Sequence, residues 1–349
     1  MFFVLFFEPV DAQQSMSLTL EEVVRIAKEQ SPKAIAARHQ FRASYWRYRS
    51  HKASLLPAVS LDATLPDFTR SIEAITLPDG TEAFTERNNA QSYLNMAVSQ
   101  NIGLTGGQVF MRSNLQRIDL FQDSSTTTWL SSPVVIGFTQ PLFGYNEYKW
   151  DKKIEPLLYR EAEKAYTESM EGISSEAANH FFDLLLARIN LDIALINLAN
   201  NDTIYKIAQG RYGYGKIAEN ELLQMELSYL NSQAALDQAR LNIEMAGFRF
   251  KSFLALPSDV MVDLIPPKDI PAMVVPFKKA LDMALQNRSD AISFQRRKLE
   301  AESNLERTRS ENRFNADLYA LYGLTRSADD FSNAYQNPRD QQRLSIGIQ

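Results

Sequence analysis

The sequence predicts a mainly helical chain: one long antiparallel helical hairpin, joined to antiparallel β-strands long enough to cross a bilayer. Three observations carry this expectation. From about Lys152 to Leu256, apolar residues recur at intervals of three and four. Leu158, Ala162, Ala165, Ile173, Ala177, Phe181, Leu184 and Ile189 lie on such a stripe, and Gly213-Tyr214-Gly215 interrupts the pattern. Between about residues 58 and 142 the period changes to two, the pattern of strands with one apolar and one polar face. Residues 276–324 echo residues 19–67 at a constant offset of 257 without a gap, including the change from helix to strand.

Length sets the kind of helix. The first arm of the hairpin holds about 60 residues, roughly 90 Å at 1.5 Å per residue, whereas globular helices average about 11–12 residues. A rod of that length does not fit inside a compact domain. On the hairpin alone, a cytoplasmic antiparallel coiled coil would be the simpler reading. The rest of the chain points elsewhere. The net charge of −5 over 349 residues implies no nucleic-acid surface. The absence of cysteine excludes disulfides, thiol catalysis and a lipidated N-terminal cysteine, and accords with an oxidising compartment. Residues 1–14 read MFFVLFFEPVDAQQ. The apolar run Phe2–Phe7 and the small-x-small site Val10-Asp11-Ala12 are expected to form an export signal, the alternative being a disordered apolar tail; the missing basic leader implies a start that is either clipped or misassigned. No run of 18 apolar residues occurs, so any spanning segment has to be a β-strand.

In chain order, Thr19 and Glu22 predict a capping box at the start of a helix that continues to about Ser54, with a break at Ser31-Pro32. Val59, Leu61, Ala63 and Leu65 alternate with polar residues in a first strand. Residues 66–89 read as loop around a Pro78-Asp79-Gly80 turn. Strands follow at about 92–104 and 108–120, separated by Thr105-Gly106-Gly107. Residues 123–132 read as a Ser/Thr-rich loop, and a fourth strand covers about 134–142. Each strand is near the ~9–11 residues a tilted strand needs to cross a bilayer. Tyr93, Trp129, Phe143 and Tyr145 fall near strand ends, where they form either an aromatic belt or ordinary packing. The proline-rich stretch 256–274 reads as an irregular connector. The final residues RLSIGIQ alternate like a strand cut off in mid-pattern, so the sequence is expected to be a fragment.

The predicted organisation is therefore a signal at 1–14, a first structural repeat at 15–255 and an incomplete second repeat at 275–349. The first repeat comprises a helix, strands at about 58–142 and a hairpin at about 146–255. Helices 18–54 and 217–255 stacked end to end reach roughly 110 Å, enough to lie beside the single long arm. Several copies of such columns would close into a hollow cylinder.

At this point the chain resembles the TolC-type outer membrane efflux proteins. The likeness rests on LTLEEVVRIAKEQSP, LLPAVSLDA, the strand-to-helix junction GFTQPLFGYN and the hairpin tip QGRYGYGKIAENELLQ, in that order. At the tip, Arg211, Tyr212, Gly215, Ile217, Ala218, Glu221 and Leu222 fit the family pattern, with Lys216 inserted. The resemblance implies a homotrimer whose strands share one outer-membrane β-barrel, in contact with outer-membrane lipid, above a periplasmic α-helical tunnel. It also implies that the tunnel tip docks to a periplasmic adaptor (membrane fusion) protein of an inner-membrane pump. The implied docking residues are Arg211, Tyr212, Gly213, Tyr214, Gly215, Lys216, Ile217 and Ala218, whose bland alternative is simply to close the hairpin. The implied junction residues are Gln140, Pro141, Leu142, Phe143 and Gly144. The family usually has two strands per repeat, and four precede this hairpin. The extra pair at about 92–120 either enlarges the barrel or folds separately.

No catalytic constellation emerges. His39, His51 and His180 lack ligand spacing, His180 reads as packed or solvated, Gly103–Gly107 lacks the Lys-Ser/Thr of a phosphate loop, and no nucleophile–base set is found. The expectation is a passive conduit without cofactor, metal site or nucleic-acid partner. The rival is a periplasmic coiled-coil adaptor or scaffold without a channel.

Overall fold

The computed structural model describes residues 15–121, 125–268, 273–336 and 341–349. The expected signal at 1–14 lies outside them. In chain order the elements are β1 (Ser15–Thr19), α1 (Leu20–Gln30), α2 (Pro32–Ser54), β2 (Ala58–Thr76), β3 (Glu82–Asn101), β4 (Gln108–Phe121) and β5 (Ser125–Pro141). There follow α3 (Glu147–Gly213), α4 (Glu219–Leu254), β6 (Met261–Ile265), α5 (Phe277–Asn287), α6 (Ser289–Glu311), β7 (Asp317–Ala328), α7 (Phe331–Ala334) and β8 (Gln341–Ile348). The chain divides into two compact units, residues 15–43 with 162–289, and residues 44–161 with 290–349.

The first unit is helical. Thr19 caps α1: its hydroxyl accepts from the Glu22 amide at 3.3 Å, and the Glu22 carboxylate accepts from the Thr19 amide at 2.8 Å. Those donors hold the Glu22 pKa below the usual carboxylate value. The helix stops at Ser31, whose ψ of 146° sets up the following Pro32. The buried Ser31 then caps α2 by accepting from the Ala34 amide at 3.1 Å. Val23, Ala27 and Ala34 pack with Ile173, Phe181, Phe250 and Leu254 in the main core. His180 packs against Phe253, 4.7 Å between centroids with the rings tilted by 38°. Farther along the hairpin the contact narrows to Ala194, Leu236 and Ala239, with Leu191 and Leu198 packed beside them.

One expectation is corrected here. The stretch 256–274 is not wholly irregular, because β6 lies in it and pairs in parallel with β1. Leu18 and Leu264 are register partners and both turn into the core, while Asp263 faces outward and pairs with Arg188. The pattern MVDLI is too short for periodicity to show, and its partner lies about 250 residues away in sequence.

The second unit holds a six-stranded antiparallel sheet in the order β2-β3-β4-β5-β7-β8. The register of its pairs makes one face apolar. Val59, Val98, Met111, Ile136, Tyr322 and Leu344 are successive partners in a single lateral row across all six strands. The neighbouring row continues with Val109, Phe138, Ala320 and Ile346. On the opposite face Ser60, Ala97, Arg112, Val135, Gly323 and Arg343 align, next to Ser99, Phe110, Gly137, Leu321 and Ser345.

The strands are longer than expected. Residues 66–76 and 82–89 are strand, joined by a turn at 77–81 in which Gly80 has φ +83° and Asp79 accepts from Thr81. In the described part of 123–132, residues 125–132 are likewise strand. In the ribbon beyond Asp67, ion pairs on both faces, Arg70–Glu86 and Arg87–Glu73 at 3.0 Å each, leave no apolar alternation to read. The register shifts between Thr64 and Asp67 and between Ser131 and Val134, around Pro66 and Pro133. A bulge is where a strand tolerates a residue without an N–H. Tyr93 is not at a strand end either. It sits within β3 on the polar face, where its hydroxyl accepts from Gln116 at 3.1 Å. Trp129 lies within β5, packed against the Phe331 ring at 5.3 Å with Arg117 over it.

The helix pairs share the offset seen in the sequence. Helices α1 and α2 have 11 and 23 residues, and α5 and α6 have 11 and 23, each beginning 257 positions later.

Candidate functional site

The hairpin tip is built by a helix stop that requires one particular backbone conformation. Helix α3 runs 67 residues to Gly213. The Lys216 amide then donates to the Arg211 carbonyl at 2.9 Å, and the Gly215 amide to the Tyr212 carbonyl at 2.8 Å. These two bonds are the Schellman pattern, which needs a left-handed residue after the cap. Gly215 supplies it with φ +66°. Gly213 does not share this duty, since it is the last helical residue and has no positive φ. Lys216, Ile217 and Ala218 run on to α4, where Ala218 is the N-cap without a side-chain bond. Glu219 and Glu221 in the first turn face the positive end of that helix. Stacked Tyr205 and Tyr229, 5.7 Å apart, lock the two arms below the turn.

The structure therefore brings all eight predicted tip residues together. Arg211 through Lys216 and Ala218 are exposed, and Ile217 is half-buried. Tyr214 is 84% exposed, so its ring is held out from the turn with little packing beneath it. Such a surface can recognise a partner.

The junction residues lie in the second unit. Gln140 and Pro141 end β5, and the Leu142 amide donates to the Ala316 carbonyl at 2.9 Å, tying the exit of β5 to the entry of β7. The Gln140 amide group donates to the Thr105 carbonyl at 2.8 Å. A Cβ on Gly144 would lie 3.0 Å from the Pro141 side chain, so the turn there is tight. Phe143 sits 6.3 Å from Phe314, and its carbonyl accepts from Ser310 at 3.2 Å.

Sequence reasoning missed the contacts that fix this junction. Asn146 caps α3 by accepting from the Lys149 amide at 3.1 Å, while its amide group donates to the Leu104 carbonyl at 3.1 Å. One side chain thus joins the helix start to the β3–β4 turn. The signal was present, because Asn just ahead of a helical run is a good cap. Trp150 is buried and donates to Glu306 at 3.1 Å. Tyr145 bonds Ser303 and lies beneath the Arg307 guanidinium at 4.7 Å. Arg296 is clamped by Glu161 at 2.6 Å and Glu300 at 2.7 Å, which holds its charge firmly on. Burial, with Glu147 nearby, raises the Asp151 pKa. Among the described residues, no three His, Cys, Asp or Glu side chains are grouped to hold a metal, and no helix is long and apolar enough to cross a membrane.

Comparison with solved structures identifies the fold, which is like that of outer-membrane channels. The chain is similar to CusC, with TM-score 0.64 and 14% identity over 95% of this chain and 65% of that one. It is similar to the outer-membrane channel OprN, with TM-score 0.62 and 17% identity over 95% and 63%. It is also similar to the CmeC outer membrane channel of Campylobacter jejuni, with TM-score 0.61 and 17% identity over 95% and 61%. At these identities the likeness is one of fold, and the chain spans less than two thirds of the length of each of these proteins. No family model matches the sequence, and no curated protein matches it.

Proposed function

We propose that this chain is the outer-membrane exit duct of a tripartite efflux or secretion system: a passive, trimeric conduit whose hairpin tip docks to a periplasmic adaptor of an inner-membrane pump. One observation supports the membrane part most directly, the lateral row from Val59 to Leu344 that makes one face of all six strands apolar. A soluble sheet would cover such a face. Here its residues are open, with Val59 at 65% and Leu344 at 69% exposed. Along β5 the apolar positions on this face are Phe138, Ile136 and Val134, and the strand itself holds 17 residues, more than the ~9–11 that a tilted strand needs to cross a bilayer.

The helical part fits a duct as well. Ile189, Ile193, Ile196, Ile204 and Ile207 on α3 remain exposed, as do Leu223, Leu227 and Leu230 on α4. Helices that are apolar on a second side call for neighbours, and further copies closing a cylinder supply them. The repeats, at 15–255 and from 275 onward, provide the columns, and Arg211–Ala218 is the docking tip. Purification tests the reading. A detergent-requiring, heat-modifiable trimer that conducts ions in a planar bilayer is expected. A soluble monomer would refute it in favour of a scaffold.

A further inference from the structure

The strand-to-helix junction holds a cavity of about 470 Å³ that lies wholly within the second unit. Glu302, Glu306, Arg309 and Arg313 line it at intervals of four, three and four, along α6 and just past its end. Phe143, Tyr145 and Trp150 line it as well. The charges are sorted: both carboxylates come first, both guanidiniums last, and the chain then enters β7. Among the described residues, Glu302, Arg309 and Arg313 have no ion-pair partner, whereas Arg307 beside them is held by Glu147 at 3.8 Å and by the Tyr145 ring. Glu306 accepts from Trp150 at 3.1 Å and has Lys149 at 4.0 Å, outside hydrogen-bond range. Like charges four apart repel on a helical face, so this order does not serve the helix.

We propose that this cavity seats the headgroup of a zwitterionic phospholipid from the periplasmic leaflet, its phosphate on Arg309 and Arg313 and its ammonium on Glu302 and Glu306. The proposal rests on the channel reading above. A guanidinium fork matches the oxygens of a phosphate, and carboxylates match an ammonium. An anionic lipid without an amine would set its own charge against the two carboxylates.

The direction of the charges matches the lipid. In the channel reading the sheet lies in the bilayer, so the end of α6 that leads into β7 is the end nearest to it. The bond from the Leu142 amide to the Ala316 carbonyl ties that same end to β5. A phospholipid carries its phosphate on the bilayer side of its amine, and the cavity carries its arginines on the bilayer side of its glutamates. Spacing agrees too. Two carbons link phosphate and amine, and Glu306 and Arg309 are likewise separated by a rise of only ~4.5 Å, at 1.5 Å per residue. Phe143 and Phe314 stand at the bilayer end, 6.3 Å apart and 60% and 76% exposed, where the glycerol and first methylenes would lie.

Native mass spectrometry of the full chain, extracted from vesicles of equal phosphatidylethanolamine and phosphatidylglycerol, counts the lipids that each copy keeps. Phosphatidylethanolamine should be retained in preference. Arg309→Gln combined with Arg313→Gln should weaken its retention by about tenfold or more. Glu302→Gln combined with Glu306→Gln keeps an acceptor for Trp150 and should erase the preference, so that both lipids are retained alike. Phosphatidylglycerol kept as well as phosphatidylethanolamine by the unaltered protein would overturn the proposal, as would unchanged retention in the arginine variant. Glycerophosphoethanolamine, the headgroup without acyl chains, should compete poorly; binding as tight as that of the lipid would also overturn it, since the ligand would then be a free phosphate ester. A protein that stays soluble and monomeric without detergent would instead bring down the channel reading on which the proposal stands.

Discussion

Replacing Gly215 separates two roles of the hairpin tip, its conformation and its contacts. Its φ is +66°, and a Cβ placed there would meet nothing within 4 Å. The site therefore has room for a side chain, and only the backbone conformation opposes one. Gly215→Val should cost about 1–2 kcal/mol, the penalty of the left-handed region for an ordinary residue, and more if the β-branch adds crowding. Gly215→Asn should cost less, since Asn tolerates that region. The loss is local, because the Gly215 and Lys216 amides that it frees close only the last turn of α3. Hydrogen exchange at those two amides should therefore speed up by about 5–30-fold in Gly215→Val, with the global unfolding transition unmoved. In cells, Gly215→Val should abolish pump-dependent export while the protein still inserts in the outer membrane, and Gly215→Asn should retain export. Tyr214→Ala supplies the control for contact: a ring 84% exposed contributes little to stability, so exchange should stay unchanged while export falls if the tip docks. Unchanged exchange in Gly215→Val would refute the backbone argument. Full export in both Gly215→Val and Tyr214→Ala would reduce the tip to a turn that merely joins two helices.

Further outcomes follow from other parts of the molecule. Ile136→Arg, in the middle of the apolar row, should destabilise the inserted barrel by about 2–4 kcal/mol in a lipid-folding titration, whereas Val135→Arg on the polar face should change it far less. Phe181→Ala, at a fully buried position in the helical core, should cost about 3–5 kcal/mol by denaturant unfolding. Burial and then Glu147 raise the Asp151 pKa, outweighing His51 and Arg307, so the fold disfavours its charged form. Its contribution is least unfavourable below the ordinary carboxylate value and worsens as pH rises through the raised one. Asp151→Asn should therefore increase thermal stability near pH 7 and leave it unchanged near pH 3.

Much of the helical architecture was legible because its signals are local or strictly periodic. The Thr19–Glu22 box, the Ser31-Pro32 break and the 257-residue offset all survive intact in the structure. The tip was legible for the same reason, since a glycine after an Arg-Tyr helix end specifies its own turn. The strand ends were not. Period two is visible only where one face meets an apolar medium, and the ribbon around Arg70 and Glu86 carries charge on both faces. Strand β6 escaped because five residues hold too little pattern and its partner is remote in sequence. The junction was half legible: Gln140–Gly144 stood out, while Trp150 and Glu306 come together only by packing.

For this chain to form an outer-membrane channel, one face of one sheet has to lie against lipid. Single cysteines placed from Val134 to Thr139 along β5, labelled with an environment-sensitive fluorophore and challenged with lipid-borne quenchers, measure this directly. Strong quenching at positions 134, 136 and 138 and weak quenching at 135, 137 and 139 is the expected result. Equal quenching at all six positions, or none at any of them, would contradict it.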